Sequence, residues 1–186
     1  MRSKYETSRL KLMKLRPSAK NARRITEFYT KNRSVFERYI TERPDSFYTE
    51  SYQRMLLDFQ YNCLINCKDF RFWVFLKQDP ARIIGTICFY HFIRPIYSRC
   101  EAGYNFDQEY WRHGYAKEAM TLGISLLFKT TDINRIEAHV MEENTASIRL
   151  LESLGFRYES YCRQYACIQD KWEDHLLFSL LRSRYQ

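Results

Sequence analysis

Five glycines are spread over 186 residues, and one of them, Gly114, stands where a strand must become a helix. Upstream, residues 97–107 alternate as a strand that ends at Phe106–Asp107. Downstream, Ala116, Ala119, Met120, Gly123, Ile124 and Leu127 fall on one helical face, with Lys117, Thr121 and Ser125 opposite. A strand that turns this tightly into a helix leaves backbone N–H groups converging on one point, where the helix dipole also favours negative charge. Such a turn can seat a pyrophosphate. Gly114 lets the backbone approach the oxygens, and Ala116 keeps a second position small. Taken alone, the turn serves an ordinary strand-to-helix connection equally well. It is neither a Gly-Lys-Ser/Thr phosphate loop nor a Gly-x-Gly-x-x-Gly dinucleotide fingerprint.

The rest of the chain supplies the context. "SRLKLMKL", residues 8–15, alternates as a strand, and residues 21–42 and 48–67 have the spacing of helices, broken around Pro44. "FRFWVFLK" (70–77) and "IIGTICFYHFI" (83–93) are β-branched and aromatic and flank a Pro-containing turn, which predicts a hairpin. "NRIEAHVM" (134–141) alternates again. Asn144 opens a short helix that Gly155 closes, and strands near 156–167 and 172–181 follow. The order is strand, two helices, three strands, helix, strand, helix, two strands. That predicts one mixed α/β (α+β) domain over residues 1–186.

Composition excludes several classes. The chain is 45% hydrophobic and 17% aromatic, enough for a packed core, and no apolar run approaches a transmembrane span. The N-terminal stretch has no continuous apolar core and no small-residue cleavage site, so a signal peptide is not expected. The expected location is cytoplasmic, with six reduced cysteines and no membrane partner. Cys63 and Cys67 share a helix face but lack a nearby His, which favours buried thiols over a metal, and no metal site is expected. The net charge is +8, with eight Lys and Arg between Arg2 and Arg23, interspersed with Leu10, Leu12 and Leu15. The pattern is that of a solvated face around a strand and helix. Direct nucleic-acid binding is not expected, although the field attracts polyanions such as a phosphorylated cofactor or a ribonucleoprotein surface.

A second stretch, "NTASIRLLESLGF" (Asn144 to Phe156), directly follows a strand. Together with "YNFDQEYWRHGYAKEAM" it resembles the GNAT superfamily of acyl-CoA-dependent N-acetyltransferases, in particular its RimJ/RimL-type branch of ribosomal-protein N-acetyltransferases. "ETSRLKLMKL" resembles that branch's opening strand. The resemblance implies a mostly antiparallel sheet of six to seven strands flanked by about four helices, with splayed central strands forming an acyl-CoA cleft. Two departures stand out. Trp111 occupies the position three before the glycine where Gln or Arg is usual, and Leu151 stands where many relatives carry a tyrosine general acid.

The resemblance further implies acetyl transfer from acetyl-CoA, without a metal, to an amine in a ternary complex. The pantetheine would lie along the strand ending at Phe106, with Gly103 marking a bulge. Arg112, His113, Gly114, Tyr115, Ala116 and Lys117 would hold the pyrophosphate through main-chain N–H groups, Asn144 would meet the pantetheine, and Ser147 could donate to the leaving sulfur. Glu101 is the first candidate for general base and Glu137 the second. His113 faces cofactor or solvent, while His139 and His175, on alternating strands, read as structural. Cys88 and Cys100 have no His partner. The expected acceptor is a protein or peptide N-terminal amine, with a ribosomal protein as the candidate. Glu42, Asp45, Glu50, Phe47 and Tyr48 are candidates for its wall. A small-amine acetyltransferase and a catalytically inactive, basic nucleic-acid-associated module are the alternatives, and a monomer or homodimer is expected.

Overall fold

The alternating segments all join one sheet. The computed structural model describes residues 3–65 and 70–185, with backbone alone for 63–65; the reading of Cys63 and Cys67 therefore lies outside the described residues. The strands are β1 (Lys4–Glu6), β2 (Leu10–Met13), β3 (Phe70–Leu76), β4 (Gly85–Ile93), β5 (Arg99–Phe106), β6 (Arg135–Met141), β7 (Arg157–Ile168) and β8 (Lys171–Leu181). Their spatial order is β1-β2-β3-β4-β5-β6-β8-β7. All neighbours are antiparallel except β5 and β6, which run parallel. The extra strand relative to expectation is β1, a three-residue piece paired to β2.

Helices cover the sheet unequally. On one face lie α1 (Ala19–Lys31), α2 (Arg33–Phe36) and α3 (Glu50–Ile65); on the other lie α4 (Tyr115–Thr130) and α5 (Thr145–Ser153). α1 begins where the Ser18 hydroxyl accepts from the Asn21 N–H at 3.2 Å. The helix expected over 21–42 stops early, because the buried Asn32 side chain donates to the Phe28 carbonyl at 2.9 Å and competes with the ladder. Beyond α2 the chain is irregular up to a 3-10 turn at Asp45–Tyr48.

Two apolar clusters follow from the alternation. Phe72, Val74, Ile87, Phe89, Ala102 and Phe106 pack with Met120, Ile124 and Leu127 of α4 and Leu151 of α5. Trp73 and Phe75, on the opposite face of β3, pack with Ile25, Phe28, Phe36, Phe47 and Leu57. α4 lies so close to β4 that a Cβ at Gly123 would come within 2.5 Å of the Ile87 side chain.

Candidate active site

The loop between β5 and α4 is held from behind. Lys31 at the end of α1 bonds the buried Asp107 and the exposed Glu109, each at 2.7 Å. The Trp111 indole N–H donates to the Phe106 carbonyl at 2.7 Å. Trp111 thereby ties the loop to the end of β5, a role for which the usual Gln or Arg is not required. The turn passes through two left-handed residues, Arg112 (φ 62°) and Gly114 (φ 77°). The first helical bond of α4 runs from Glu118 N–H to the Gly114 carbonyl at 3.0 Å. That leaves the N–H groups of Tyr115, Ala116 and Lys117 ahead of the hydrogen-bond ladder and open to an outside acceptor. The Gly114 turn thus presents free backbone N–H groups, with Arg112, His113 and Lys117 exposed around it.

A clamp from β1–β2 fixes this helix end. Thr7, Ser8 and the Arg9 N–H all bond the Glu118 carboxylate, and the Arg9 guanidinium bonds it at 2.7 Å. Burial opposes ionisation of Glu118, but these bonds outweigh it and hold its carboxyl below the usual range. Arg9 also reaches the His113 carbonyl at 3.0 Å and stacks on the Tyr115 ring.

The sheet opens next to this loop. β5 and β6 pair only at Arg99–Arg135, Cys100–Ile136 and Glu101–Glu137. Beyond Glu101 and Glu137 the two strands diverge. Asp107 N–H donates to the Ile84 carbonyl, and the alternation of an antiparallel ladder then turns the backbone groups of Ala102, Tyr104 and Phe106 toward the gap. No bulge at Gly103 opens it. Gly103 is in regular register with Cys88, and the irregularity in β4–β5 lies between Tyr90 and Ile93. The smallness of Gly103 instead leaves room for Tyr90 and Cys88, whose side chains would lie 3.2–3.3 Å from a Cβ there.

On the α4–α5 side, the Tyr104 hydroxyl meets Ser147 Oγ at 2.6 Å. Asn144 caps α5, its side-chain oxygen accepting from the Ser147 N–H at 3.1 Å, so its observed contact is a helix cap. Leu151 is fully buried in the core; Tyr104, from the strand opposite, is the hydroxyl that stands beside Ser147. Burial, against the pull of the Ser147 hydrogen bond, pushes the Tyr104 phenol up to about 12, so it holds its proton at neutral pH. Sequence reasoning missed this residue.

On the opposite sheet face lies Glu101, one oxygen 3.2 Å from His91 Nδ1 and the other 3.9 Å from His139 Nδ1. Glu137, the second candidate base, is engaged otherwise: Arg99 and Arg135 both bond it, the latter at 2.7 Å. The proposed acceptor wall is also largely committed. Phe47 is buried against Tyr29, Asp45 pairs with Arg33 at 2.8 Å, Glu50 pairs with Arg23 at 3.1 Å, and Tyr48 donates to Glu37 at 2.6 Å. The tip of that segment instead reaches the β7–β8 turn, where Thr41 Oγ donates to the Cys167 carbonyl at 3.1 Å. Cys88 and Cys100 are buried, and burial pushes the Cys100 thiol up to about 12, the reverse of what a nucleophile needs. Among the described residues no group of His, Cys, Asp and Glu could hold a metal, and no helix is long and apolar enough to cross a membrane.

The family model described as "Acetyltransferase (GNAT) domain" matches residues 9–157. The chain belongs to the GNAT family. It is an N-acetyltransferase, an acyltransferase by reaction class. This GNAT chain is 30% identical over 161 residues to the ribosomal protein uS5-alanine N-acetyltransferase of Escherichia coli (strain K12), covering 87% of this chain and 82% of that protein. The ribosomal-protein-S5-alanine acetyltransferase of Vibrio fischeri has a similar structure, with a TM-score of 0.91, 25% identity and coverage of 98% of both chains. RimJ of Mycobacterium smegmatis, in complex with CoA-disulfide, shares the fold at a TM-score of 0.85 and 18% identity over 94% of this chain and 83% of that one. The GNAT fold and the RimJ/RimL-like kinship expected from the two motifs are borne out.

Proposed function

We propose that this GNAT enzyme transfers acetyl from acetyl-CoA to the N-terminal α-amino group of a protein, by direct attack in a ternary complex. The observation that carries the reading is the gap between β5 and β6. It has a carboxylate, Glu101, on one face and a hydroxyl pair, Tyr104–Ser147, on the other. Acetyl-CoA supplies the activated acetyl thioester. The N–H groups of the Arg112–Lys117 turn bind its pyrophosphate, and the free edge of β5 from Ala102 to Phe106 offers hydrogen bonds to its pantetheine. Asn144 holds α5, and with it Ser147, in place beside that arm. The Glu101 carboxylate attracts and orients the incoming ammonium, and Tyr104, relayed by Ser147, protonates the departing sulfur.

An α-amine suits such a site. At pH 7 its deprotonation costs about 1.4 kcal/mol, against about 4.6 kcal/mol for lysine. Glu101 has no second carboxylate free beside it to offset the larger cost, because Glu137 is held by two arginines. The likeness to ribosomal-protein acetyltransferases supports a ribosomal protein as acceptor, and a net charge of +8 suits approach to a ribonucleoprotein. The test is mass spectrometry of a panel of free-N-terminus peptides, N-blocked lysine peptides and polyamines incubated with enzyme and acetyl-CoA. Acetyl groups are expected on the peptide N-termini. Modification of lysine side chains or polyamines alone would refute the acceptor assignment.

A further inference from the structure

Glu101 does not stand alone at the gap. His139 lies two residues beyond Glu137 on β6, just past the last residue paired to β5, and its side chain shares the face of Glu101 and Glu137. Its ring stacks nearly parallel on Tyr165 of β7, with centroids 4.1 Å apart at 13°. That ring contact fixes the imidazole plane. Nδ1 is buried and makes no hydrogen bond among the described residues, yet it is turned toward Glu101 Oε2 at 3.9 Å. The separation is too long for a hydrogen bond between the two. A group bonded to both would lie at about 2.8 Å from each, off the line that joins them.

We propose that His139 Nδ1 and Glu101 Oε2 together grip the incoming amine, and that Nδ1 takes its proton. This rests on the proposed acceptor chemistry and adds to it the atom that receives the proton. The N–H bond of the ammonium breaks, the proton moves to Nδ1, and the nitrogen lone pair becomes free to attack. The resulting imidazolium faces the Glu101 carboxylate and later releases the proton to solvent. The surroundings suit this task. Glu101 and Arg99 face His139 from β5, Glu137 from its own strand, His175 from β8, Tyr165 from β7, and His91 and Tyr90 stand beside Glu101 on β4. Arg99 and Arg135 are both bonded to Glu137, so neither neutralises Glu101. Burial lowers the His139 pKa from its ordinary value, opposed by the attraction of Glu101 and Glu137, which leaves a neutral, proton-accepting ring at pH 7.

Two measurements test this. In the wild-type protein, nitrogen-15 NMR follows the His139 ring from about pH 5 to about pH 8 with no acceptor present. A neutral ring at pH 7 with its proton on Nε2 is expected. An imidazolium that persists at pH 7, or a proton fixed on Nδ1, overturns the proposal. Second, kcat/KM of His139→Gln is compared with wild type on an α-amine peptide from about pH 6 to pH 9. A loss of about tenfold to a hundredfold at pH 7 is expected, shrinking toward pH 9 where the amine deprotonates in solution. No loss, or the same loss at every pH, overturns it. Unchanged acetyl-CoA affinity of His139→Gln reports an intact fold. Should wild type modify no α-amine, the acceptor assignment fails, while the NMR measurement still decides the state of His139.

Discussion

One sheet face changes character halfway across. On β3 it carries Trp73 and Phe75, sealed beneath α1 and α3. Followed through the register from Trp73 to Thr86, Asn105 and then Glu101, the same face carries Glu101 on β5, Glu137 and His139 on β6, and Ser179 and His175 on β8. The first half pairs without interruption and is aromatic. The second half parts between β5 and β6 and is ionisable. Burial of large rings stabilises the first half, while the second holds ion pairs around Glu137, the stack of Tyr165 on His139 and a gap. Large apolar rings and ionisable side chains thus sit on different strands of the same sheet face.

The contrast predicts opposite signatures for substitutions in the two halves. Trp73→Ala is expected to cost about 3–5 kcal/mol of stability by emptying the site among Phe28, Tyr29 and α3. Urea unfolding at constant m-value checks this, and a cost below about 1 kcal/mol would mean that the aromatic half is not the stabilising one. Glu101→Gln, in contrast, should lower kcat by about a hundredfold or more while the unfolding midpoint stays put. Next in size, Gly114→Val forces a β-branched residue to φ 77°, a conformation that costs about 1–2 kcal/mol for non-glycine residues. Acetyl-CoA binding by calorimetry should weaken at least about tenfold, and equal affinity would displace the pyrophosphate from this turn.

Smaller effects sharpen the picture. Ser147→Ala and Tyr104→Phe should each reduce turnover about tenfold without weakening acetyl-CoA, because a thiol of pKa about 8.5 leaves with little help. The double variant should be little worse than either single one, since the two hydroxyls are bonded to each other. Additive losses would mean two separate roles. Smallest of all is a pH effect in the ionisable half. The Arg135 guanidinium, helped by the Ser179 hydroxyl and opposed by burial, holds the Glu159 carboxyl down to about 2. A carboxyl with a depressed pKa stabilises the fold above its ordinary value of 4.5 and loses that contribution as the pH falls toward 2. Glu159→Gln should flatten the stability profile across that window only.

The two halves also differ in how far they could be read from sequence. The strands, α4, its glycine start and the Asn144 cap follow from periodicity and local capping, which act over a few residues. Tyr104 does not. Its partner Ser147 is 43 residues away, and its own strand looks like any other aromatic strand. Phe47 and Tyr48 look like an exposed loop pair, yet tertiary packing buries the first and turns the hydroxyl of the second to Glu37. Glu101 and Glu137 have the same alternating environment in sequence; two arginines on paired strands distinguish them in space. The gap depends on where β5 leaves β6, a register property that Gly103 was wrongly expected to announce. His139 read as structural because nothing local reveals an imidazole nitrogen left without a partner.

The central claim is that the parting of β5 from β6, together with the start of α4, receives acetyl-CoA. Amide hydrogen exchange with and without acetyl-CoA tests it at single residues. The claim predicts slowed exchange confined to the gap-facing amides of Ala102, Tyr104 and Phe106 and to the amides of Arg112–Lys117, with β2 and β3 unchanged. Protection centred on β2 and β3, or the same exchange at Ala102–Phe106 with and without acetyl-CoA, would contradict it.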